Sequence, residues 1–302
     1  MIPDFQALML PILQFVADGQ EHTVSQTHDL LAQQFKLTSE EVSQVYSLGR
    51  KIFLSRVQWA KGYLKMAGLV ENTKRAHYRI TDKGREVLAS KPTEITVKYL
   101  KETPEYKEWV KRRNGDKTAN TDVNNTIEAH ATPEDILESN YLEIRKNLAF
   151  ELLSKVKSAS PLFFESMVVE LLVKMGYGGS IKEAGKAIGR SGDEGIDGII
   201  KEDRLGLDAI YIQAKRWDGS VGRPEIQKFM GALAGQGAKK GIFITTAKFT
   251  NDAIKYTPRN DTKIVLIDGE QLADLMIDYD MAVATTHTFT IKRMDNDYFD
   301  EE

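Results

Sequence analysis

The sequence predicts an α/β protein of two domains, and three observations support this prediction. The chain has 302 residues, which is enough for two domains that each bury a core. Residues 1–92 combine helical apolar patterns with two short strands. Residues 133–291 predict the order helix, strand, strand, helix, strand, helix, strand, which is typical of a sheet flanked by helices.

The helices of the first domain follow from apolar residues at helical spacing. Thr38 and Glu41 form a capping-box pattern, which opens a short third helix. The fourth helix ends near Gly68. The apolar stripes of the first, second and fourth helices are Phe5, Met9, Ile12, Leu13 and Val16, then Leu30, Leu31 and Phe35, then Phe53, Val57, Ala60 and Leu64.

Two short strands follow the fourth helix. They are predicted at residues 69–70 and 77–80, on either side of a basic turn at residues 72–76. Thr81 and Asp82 then begin a last helix. Helices followed by two strands around a basic turn are typical of a winged helix, and we predict that fold for the first domain.

Positive charge is concentrated in this domain although the whole chain carries a net charge of −3. Residues 51–92 hold ten Lys and Arg residues against three acidic ones, whereas the first fifty residues have a balance of −4. Basic residues that neutralise phosphates release counterions, so we predict DNA binding here. A solvated helix face and a protein-binding winged helix are the alternatives. The predicted DNA-contacting residues are Arg56, Gln58, Lys61, Lys65, Lys74, Arg75 and Arg79, with Ser55 and Trp59 on the same polar helix face.

Residues 93–132 contain few apolar side chains, and we assign them to a linker. Residues 102–113 are charged and are expected to be helical or extended over the surface. Residues 114–132 are rich in Asn, Asp, Thr and Gly, a composition that buries too little apolar area to order itself. We therefore expect the two domains to move relative to each other.

The second domain, residues 133–291, begins with a pair of apolar helices that extends to Met175, and an acidic tail at residues 292–302 follows it. Pro224 opens a later helix that crosses over the sheet. The remaining predicted elements are strands at residues 209–214, 241–245 and 263–267 and a closing helix at residues 271–277.

Three polar residues of this domain indicate metal-dependent chemistry. Asp197 follows a glycine-rich turn, and its carboxylate suits Mg²⁺. Gln213 and Lys215 share one face of an apolar strand, because side chains alternate along a strand. A lysine there is costly without a partner, and stabilising an attacking hydroxide or a phosphate oxygen gives it a role.

These residues stand within a set of segments that resembles the PD-(D/E)xK nuclease superfamily and, within it, the Mrr-like restriction endonucleases. The match extends from about Ser160 to about Gln271, and residues 1–92 resemble the DNA-binding domain of that family. The matching segments are residues 164–177, 192–198, 212–216, 225–229 and 241–246. The resemblance implies a restriction-endonuclease-like domain with a central mixed sheet flanked by helices.

The resemblance also implies the site. Asp197, Gln213 and Lys215 occupy the catalytic positions, and Glu165 is the helix carboxylate that completes many such sites. We expect Mg²⁺ to be bound by Asp197 and the Gln213 side-chain oxygen, with the Ala214 carbonyl as a further candidate and Glu165 acting directly or through water. Gln213 replaces the usual second carboxylate and is neutral, so we predict weak metal affinity.

Two of the site assignments have alternatives. Glu165 lies near a helix start and also favours the helix dipole, which is its alternative role. Gln227 either faces the site and contacts DNA or water, or is an ordinary surface residue.

The family resemblance implies a type IV restriction enzyme that cuts double-stranded DNA carrying methylated bases. Self-association is expected, since cutting both strands requires two active sites. Trp59, Phe53 and Tyr78 are aromatic candidates for a methyl contact, although Phe53 also fits the core. The alternatives are a repair nuclease acting at branched DNA and a non-cutting DNA-binding regulator.

Other functions are excluded or disfavoured by composition. The chain has no cysteine, so disulfides and thiolate zinc sites are excluded, and its five histidines lack metal-ligand spacing. The glycines between Gly179 and Gly198 do not match a phosphate-binding loop, because Ala187 replaces the required Ser or Thr. No secretion signal or membrane span is evident, and we expect a cytoplasmic, nucleoid-associated protein without a membrane partner.

Overall fold

A computed structural model describes residues 1–47, 49–74, 76–114, 131–178, 195–202, 208–256, 261–292 and 294. The chain forms two compact units, built on Met1–Leu142 and on Glu143–Ile291. No helix within the described ranges is both long and apolar enough to cross a membrane. The predicted acidic tail lies outside the described residues except for Lys292 and Met294.

The first unit contains the predicted helices and the two wing strands, which confirms the element order of residues 1–92. Its three-stranded antiparallel sheet has the order β1-β3-β2, and the two-residue β1 was not predicted. Its elements are α1 (Met9–Phe15), a 3₁₀ helix (Val16–Asp18), β1 (His22–Thr23), α2 (Val24–Gln34), α3 (Ser39–Ser43), α4 (Ile52–Met66), β2 (Val70–Lys74), β3 (His77–Ile80) and α5 (Asp82–Ala89).

The predicted apolar stripes form the core of this unit, except for Leu30 of the second helix, which is exposed. Ile12, Phe53 and Leu64 are fully buried, and each such side chain contributes roughly 1.5–3 kcal/mol by leaving water. The capping box at the start of α3 is also present. The Thr38 hydroxyl accepts from the Glu41 amide at 3.2 Å, and the Glu41 carboxylate accepts from the Thr38 amide at 2.9 Å.

The predicted linker, residues 93–132, is partly helical, and helix is one of the two conformations that we expected for residues 102–113. Helices α6 (Val97–Lys101) and α7 (Pro104–Asn114) occupy its first half. Ile95 and Leu100 are buried in the first core, and the Tyr106 ring stacks on Tyr63 at a centroid distance of 6.5 Å. A few apolar residues suffice because each one is anchored in an existing core. Residues 115–130 lie outside the described residues.

The long helix α8 (Pro133–Ser158) follows. The Thr132 hydroxyl caps it by accepting from the Asp135 amide at 3.1 Å. The boundary between the units falls within α8, between Leu142 and Glu143, and not at residue 133 as we assigned it. The first turns of α8 belong to the first unit because their acidic residues bond to that unit, as described below.

The second unit is built on a four-stranded mixed sheet, as predicted. Strands β4 and β5 are antiparallel, whereas β5, β6 and β7 are parallel, in the order β4-β5-β6-β7. Its elements after α8 are α9 (Pro161–Lys174), β4 (Gly198–Lys201), β5 (Ala209–Lys215), α10 (Arg223–Gly235), β6 (Lys240–Thr245), α11 (Asn251–Ile254), β7 (Lys263–Ile267) and α12 (Gly269–Asp278).

Side-chain alternation divides the core of this unit between the two faces of the sheet. Ile212 and Ile244 pack on one face with α9 and α12. Phe243 packs on the other face against Phe229 of α10, with ring centroids 5.7 Å apart. Gln213 is in register with Phe243. The polar side chains of β5 therefore lie on the face that α10 covers.

Candidate active site

Asp197 lies immediately before β4, where the neighbouring strand β5 fixes both its backbone and its side chain. Its amide donates to the Ile212 carbonyl at 2.8 Å. Its Oδ2 accepts from the Ala214 amide at 2.7 Å and from Gln213 Nε2 at 3.0 Å. Two donors on one oxygen hold the carboxylate in a single orientation and leave Oδ1 for another partner.

Gln213 is almost fully buried, with 6 % of its surface exposed. Because its Nε2 bonds to Asp197, its Oε1 is left to accept from a donor or to bind a cation. Gly195 lies beside this oxygen, and a Cβ at Gly195 would come within 3.2 Å of Oε1. The φ of Gly195 is +103°, a backbone conformation that favours glycine. Glycine thus keeps the space beside Oε1 open.

Lys215 ends β5 on the same face as Gln213, which confirms the alternation predicted for this strand. Its ammonium donates to Glu225 Oε2 at 2.5 Å and lies 4.8 Å from the centre of the Trp217 ring. The Lys215 carbonyl accepts from the Thr245 hydroxyl at 2.7 Å, which anchors the strand end. About a quarter of the Lys215 side chain is exposed, so a substrate can reach it.

Glu165 lies in the second turn of α9, where it interacts with Asp197. Burial raises the pKa of the Glu165 carboxyl, and the negative charge of Asp197 raises it further. Such a repulsion requires the two carboxylates to be close enough for their charges to interact. A cation between them would relieve the repulsion, which fits the predicted role of Glu165.

The donor set fits a hard divalent cation such as Mg²⁺. Asp197 and Glu165 supply carboxylates and Gln213 supplies an amide oxygen, and Mg²⁺ prefers such oxygen ligands. No three His, Cys, Asp or Glu residues cluster in metal-binding fashion within the ranges that the structure describes. The neutral Gln213 cannot contribute to a cluster of this kind. Ala214 contacts Asp197 through its amide.

Glu225 is a site residue to which the sequence analysis assigned no role. It lies in the first turn of α10 and accepts from both Lys215 and Lys228, the latter at 2.8 Å. The hydrogen bond from Lys215, followed by that from Lys228, lowers the pKa of the Glu225 carboxyl. The sequence contained one indication that Glu225 belongs to the site, because Glu225 lies in residues 225–229, a segment that matches the Mrr-like restriction endonucleases. Gln227, two residues further along, is exposed.

In the first unit, Arg56 is already engaged within the protein. Its Nη1 donates to the Ile2 and Pro3 carbonyls at 3.0 and 3.1 Å, and its Nη2 donates to Asp135 Oδ1 at 2.9 Å. Hydrogen bonding by Asp135 raises the pKa of Arg56, although burial, the largest influence, opposes this. The predicted base contact by Arg56 would therefore require these bonds to break.

Three acidic residues at the start of α8, namely Glu134, Asp135 and Glu138, form what we call the acidic helix start. They bond to the N-terminal part of α4 and to the loop before it, which is the region predicted to meet DNA. Besides Arg56, the donors are the Tyr46 hydroxyl to Asp135 at 2.7 Å, the Ser47 hydroxyl to Glu138 at 2.6 Å, and Arg50 and Trp59 Nε1 to Glu134.

Three described residues of the predicted polar or DNA-facing set are buried. Ser55 is fully buried, so its placement on the polar face of α4 was wrong. Tyr78 is also fully buried, and its hydroxyl bonds to the Thr27 hydroxyl at 2.5 Å, so it does not present itself to a methyl group. Phe53 lies in the core, and Trp59 remains partly exposed.

The other predicted DNA-contacting residues lie at the surface of α4 and the wing. Lys61 is the most enclosed of them, and burial followed by the charge of Lys65 lowers its pKa. Arg75 lies outside the described residues. The contacts of the others are Gln58 with Arg50, Lys61 with Asn72 at 2.8 Å, Lys74 with Glu21 at 2.6 Å and Arg79 with Glu71 at 2.8 Å, and Lys65 is exposed.

Comparison with known proteins agrees with both units. Residues 5–90 match the Mrr N-terminal domain, and residues 156–276 match a restriction endonuclease family, the Mrr catalytic domain. The chain is 33 % identical over 305 residues to the type IV methyl-directed restriction enzyme EcoKMrr of Escherichia coli (strain K12), covering 99 % of each protein. The chain therefore belongs to the Mrr family of restriction endonucleases.

Proposed function

We propose that this enzyme hydrolyses phosphodiester bonds in DNA that carries methylated bases, with Mg²⁺ as cofactor. The observation that carries the proposal is the arrangement of Asp197, Gln213 and Lys215 on two paired strands, where Asp197 accepts from the Gln213 side chain and the Ala214 amide. The name of the Escherichia coli relative, a methyl-directed enzyme, supports the choice of substrate.

In this mechanism Asp197, the Gln213 oxygen and Glu165 hold the cation. A bound Mg²⁺ supplies polarisation of the scissile phosphate and a lowered pKa of a bound water. The Ala214 amide keeps the Asp197 carboxylate in place. Lys215 donates from the end of β5 to the attacking oxygen or to the phosphate, where negative charge develops as the new P–O bond forms and the leaving oxygen departs.

Exposed basic residues of the first unit bring DNA to the enzyme in this proposal. In this proposal Lys65 and the wing residues Lys74 and Arg79 contact phosphates, and the exposed Gln58 contacts a base edge. Trp59 is the remaining aromatic candidate for a methyl contact. Its indole donates to Glu134, which has to withdraw before a duplex can cover this face.

Cutting both strands of a duplex requires two active sites, so we propose that two or more copies act together. Each copy then places its Lys215 at one strand. This requirement follows from the reaction alone, and it does not identify the surface through which the copies associate.

The test uses matched methylated and unmethylated plasmids, Mg²⁺, and the variants Asp197→Ala and Lys215→Ala. We expect cleavage of methylated DNA only, and greatly slowed cleavage in both variants. Asp252→Ala, at an exposed position of the same unit, is the control and should cut normally. Equal cutting of both plasmids with a preference for junctions would indicate a repair nuclease. Binding without cutting would indicate a regulator.

A further inference from the structure

The ammonium of Lys215 is held by a carboxylate from the helix that covers its face of the sheet. Glu225 Oε2 accepts from Lys215, and Glu225 Oε1 accepts from Lys228. Glu225 itself is only 14 % exposed in its side chain. Glu225 lies in the first turn of α10, directly after Pro224. The proline ring restricts the backbone there, so this turn is a rigid support for the Glu225 carboxylate.

We propose that Glu225 is the positioning residue for Lys215 in the cleavage reaction. This inference rests on the proposed function, because it assigns a role relative to the lysine of that site. A lysine side chain has four flexible carbon–carbon bonds, and leaving it unrestrained would spread its ammonium over many positions. A charged partner on a rigid element reduces that freedom before the substrate arrives.

The contacts of the Lys215 ammonium leave it able to donate a hydrogen bond to the substrate. Lys215 has three N–H donors; one is used by Glu225, and the Trp217 ring lies on another side at 4.8 Å. At least one donor is then available for the attacking oxygen or the phosphate. Glu225 thus acts through Lys215 and needs no contact with DNA or metal.

Lys228 provides a matched control on the same carboxylate. Lys228 bonds to the other oxygen of Glu225 and not to Lys215, and its side chain is 73 % exposed. Its removal leaves the Lys215–Glu225 pair in place. Exposed ion pairs of this kind contribute little, so Lys228→Ala should change the reaction by less than about twofold.

The first experiment is a double-mutant cycle with Glu225→Gln, Lys215→Ala and the double variant, measured by single-turnover cleavage of methylated duplex. Glu225→Gln should lower the maximal single-turnover rate constant about tenfold, while the enzyme concentration that gives half of that rate stays within about twofold. In the Lys215→Ala background the same change should cause no further loss. An equal loss in both backgrounds would overturn the proposal and make Glu225 a structural residue.

A second measurement does not depend on cleavage. The lysines of the full-length protein are labelled by reductive ¹³C-methylation, and the Lys215 resonance is identified as the one absent from Lys215→Arg. Glu225→Gln should shift this resonance and Lys228→Ala should not. An unshifted resonance would overturn the proposal. If the wild-type protein cuts no DNA but the resonance shifts, the proposed function fails while the pairing of Glu225 with Lys215 is upheld.

Discussion

Gln213 donates its side-chain amide to the Asp197 carboxylate at 3.0 Å, and this contact fixes which end of the amide faces the acid. The nitrogen faces Asp197, so the oxygen is left for a cation. A glutamate at position 213 has no hydrogen to donate at neutral pH. Because glutamine is neutral, Gln213 can be buried next to Asp197 even when no cation is bound.

We predict that Gln213→Glu strengthens metal binding and weakens the metal-free protein. Two adjacent carboxylates repel each other, and the lost hydrogen bond adds to this, so the free energy of unfolding without Mg²⁺ should fall by about 1–3 kcal/mol. Added Mg²⁺ should restore it, because a cation bound only to the folded state stabilises that state. Thermal unfolding at increasing Mg²⁺ concentrations measures both effects.

The control for this substitution is Gln227→Glu, at an exposed position of α10. It adds the same charge to the same unit and should leave the Mg²⁺ dependence unchanged. If Gln213→Glu showed the Mg²⁺ dependence of wild type, Gln213 would not belong to the metal site.

Glu165→Gln separates a metal-site role from a helix-dipole role. The raised pKa of the Glu165 carboxyl has burial and the charge of Asp197 as its causes, so we expect a neutral side chain to remove a repulsion that the metal otherwise relieves. Half-saturation with Mg²⁺ in cleavage assays should rise about 10–100-fold. Glu170→Gln, an exposed change on the same helix, should leave it unaltered. Identical behaviour of the two variants would favour the helix-dipole role.

Much of this architecture was predictable because apolar periodicity determines which face of each element is buried. The stripe of α4 that contains Phe53 and Leu64 and the alternation around Gln213 and Lys215 each depend on spacing along one element. Such patterns need no knowledge of the neighbouring elements. For this reason the helices, the mixed sheet and the pairing of Gln213 with Lys215 on one face were predicted.

Periodicity does not specify which residues meet across elements. Arg56 and Asp135 are 79 positions apart in the chain, and nothing in either local pattern indicates their contact. Glu225 follows Lys215 by only ten positions, yet their pairing depends on how α10 packs on the sheet. Tyr78 was a candidate for contacting a methyl group, whereas its ring fills the core.

The stability of the first unit should depend on pH through Asp135. Burial alone would raise the pKa of this carboxyl, but hydrogen bonds from Arg56, the Thr132 amide and Tyr46 lower it below its ordinary value. Because the pKa is lower in the folded state, its stabilising contribution is present above the unfolded pKa of about 4 and is lost as the pH falls through the folded value.

Asp135→Asn tests this contribution. We expect the free energy of unfolding to fall by about 1–3 kcal/mol at pH 7, since a charged acceptor of several bonds is replaced, and the difference from wild type to shrink near pH 3. Chemical unfolding at both pH values gives the comparison. Glu108→Gln removes an exposed acid that pairs with Arg112 on α7 and should change stability by less than about 0.5 kcal/mol. A pH-independent difference for Asp135→Asn would contradict the linkage.

The acidic helix start should compete with DNA for the face of α4. Glu134 accepts from Arg50 and Trp59, and Glu138 accepts from Ser47, so DNA phosphates that approach these groups meet negative charge. The double variant Glu134→Gln, Glu138→Gln should bind duplex DNA about 2–10-fold more tightly at 100 mM salt, because two repulsive charges are removed from the contact region. Asp135 is left unchanged to preserve the fold.

Fluorescence anisotropy across a salt series measures this change and its origin. Lys65→Gln should have the opposite effect, weakening binding on all sequences and reducing the salt slope by about one. Glu102→Gln, Glu108→Gln is the matched control, since it removes two acids at exposed positions of the same unit and should leave affinity within about twofold. If the Glu134/Glu138 variant bound DNA no more tightly than this control, the duplex would not occupy the face of α4, and the DNA-contacting surface would have to be sought on the wing alone.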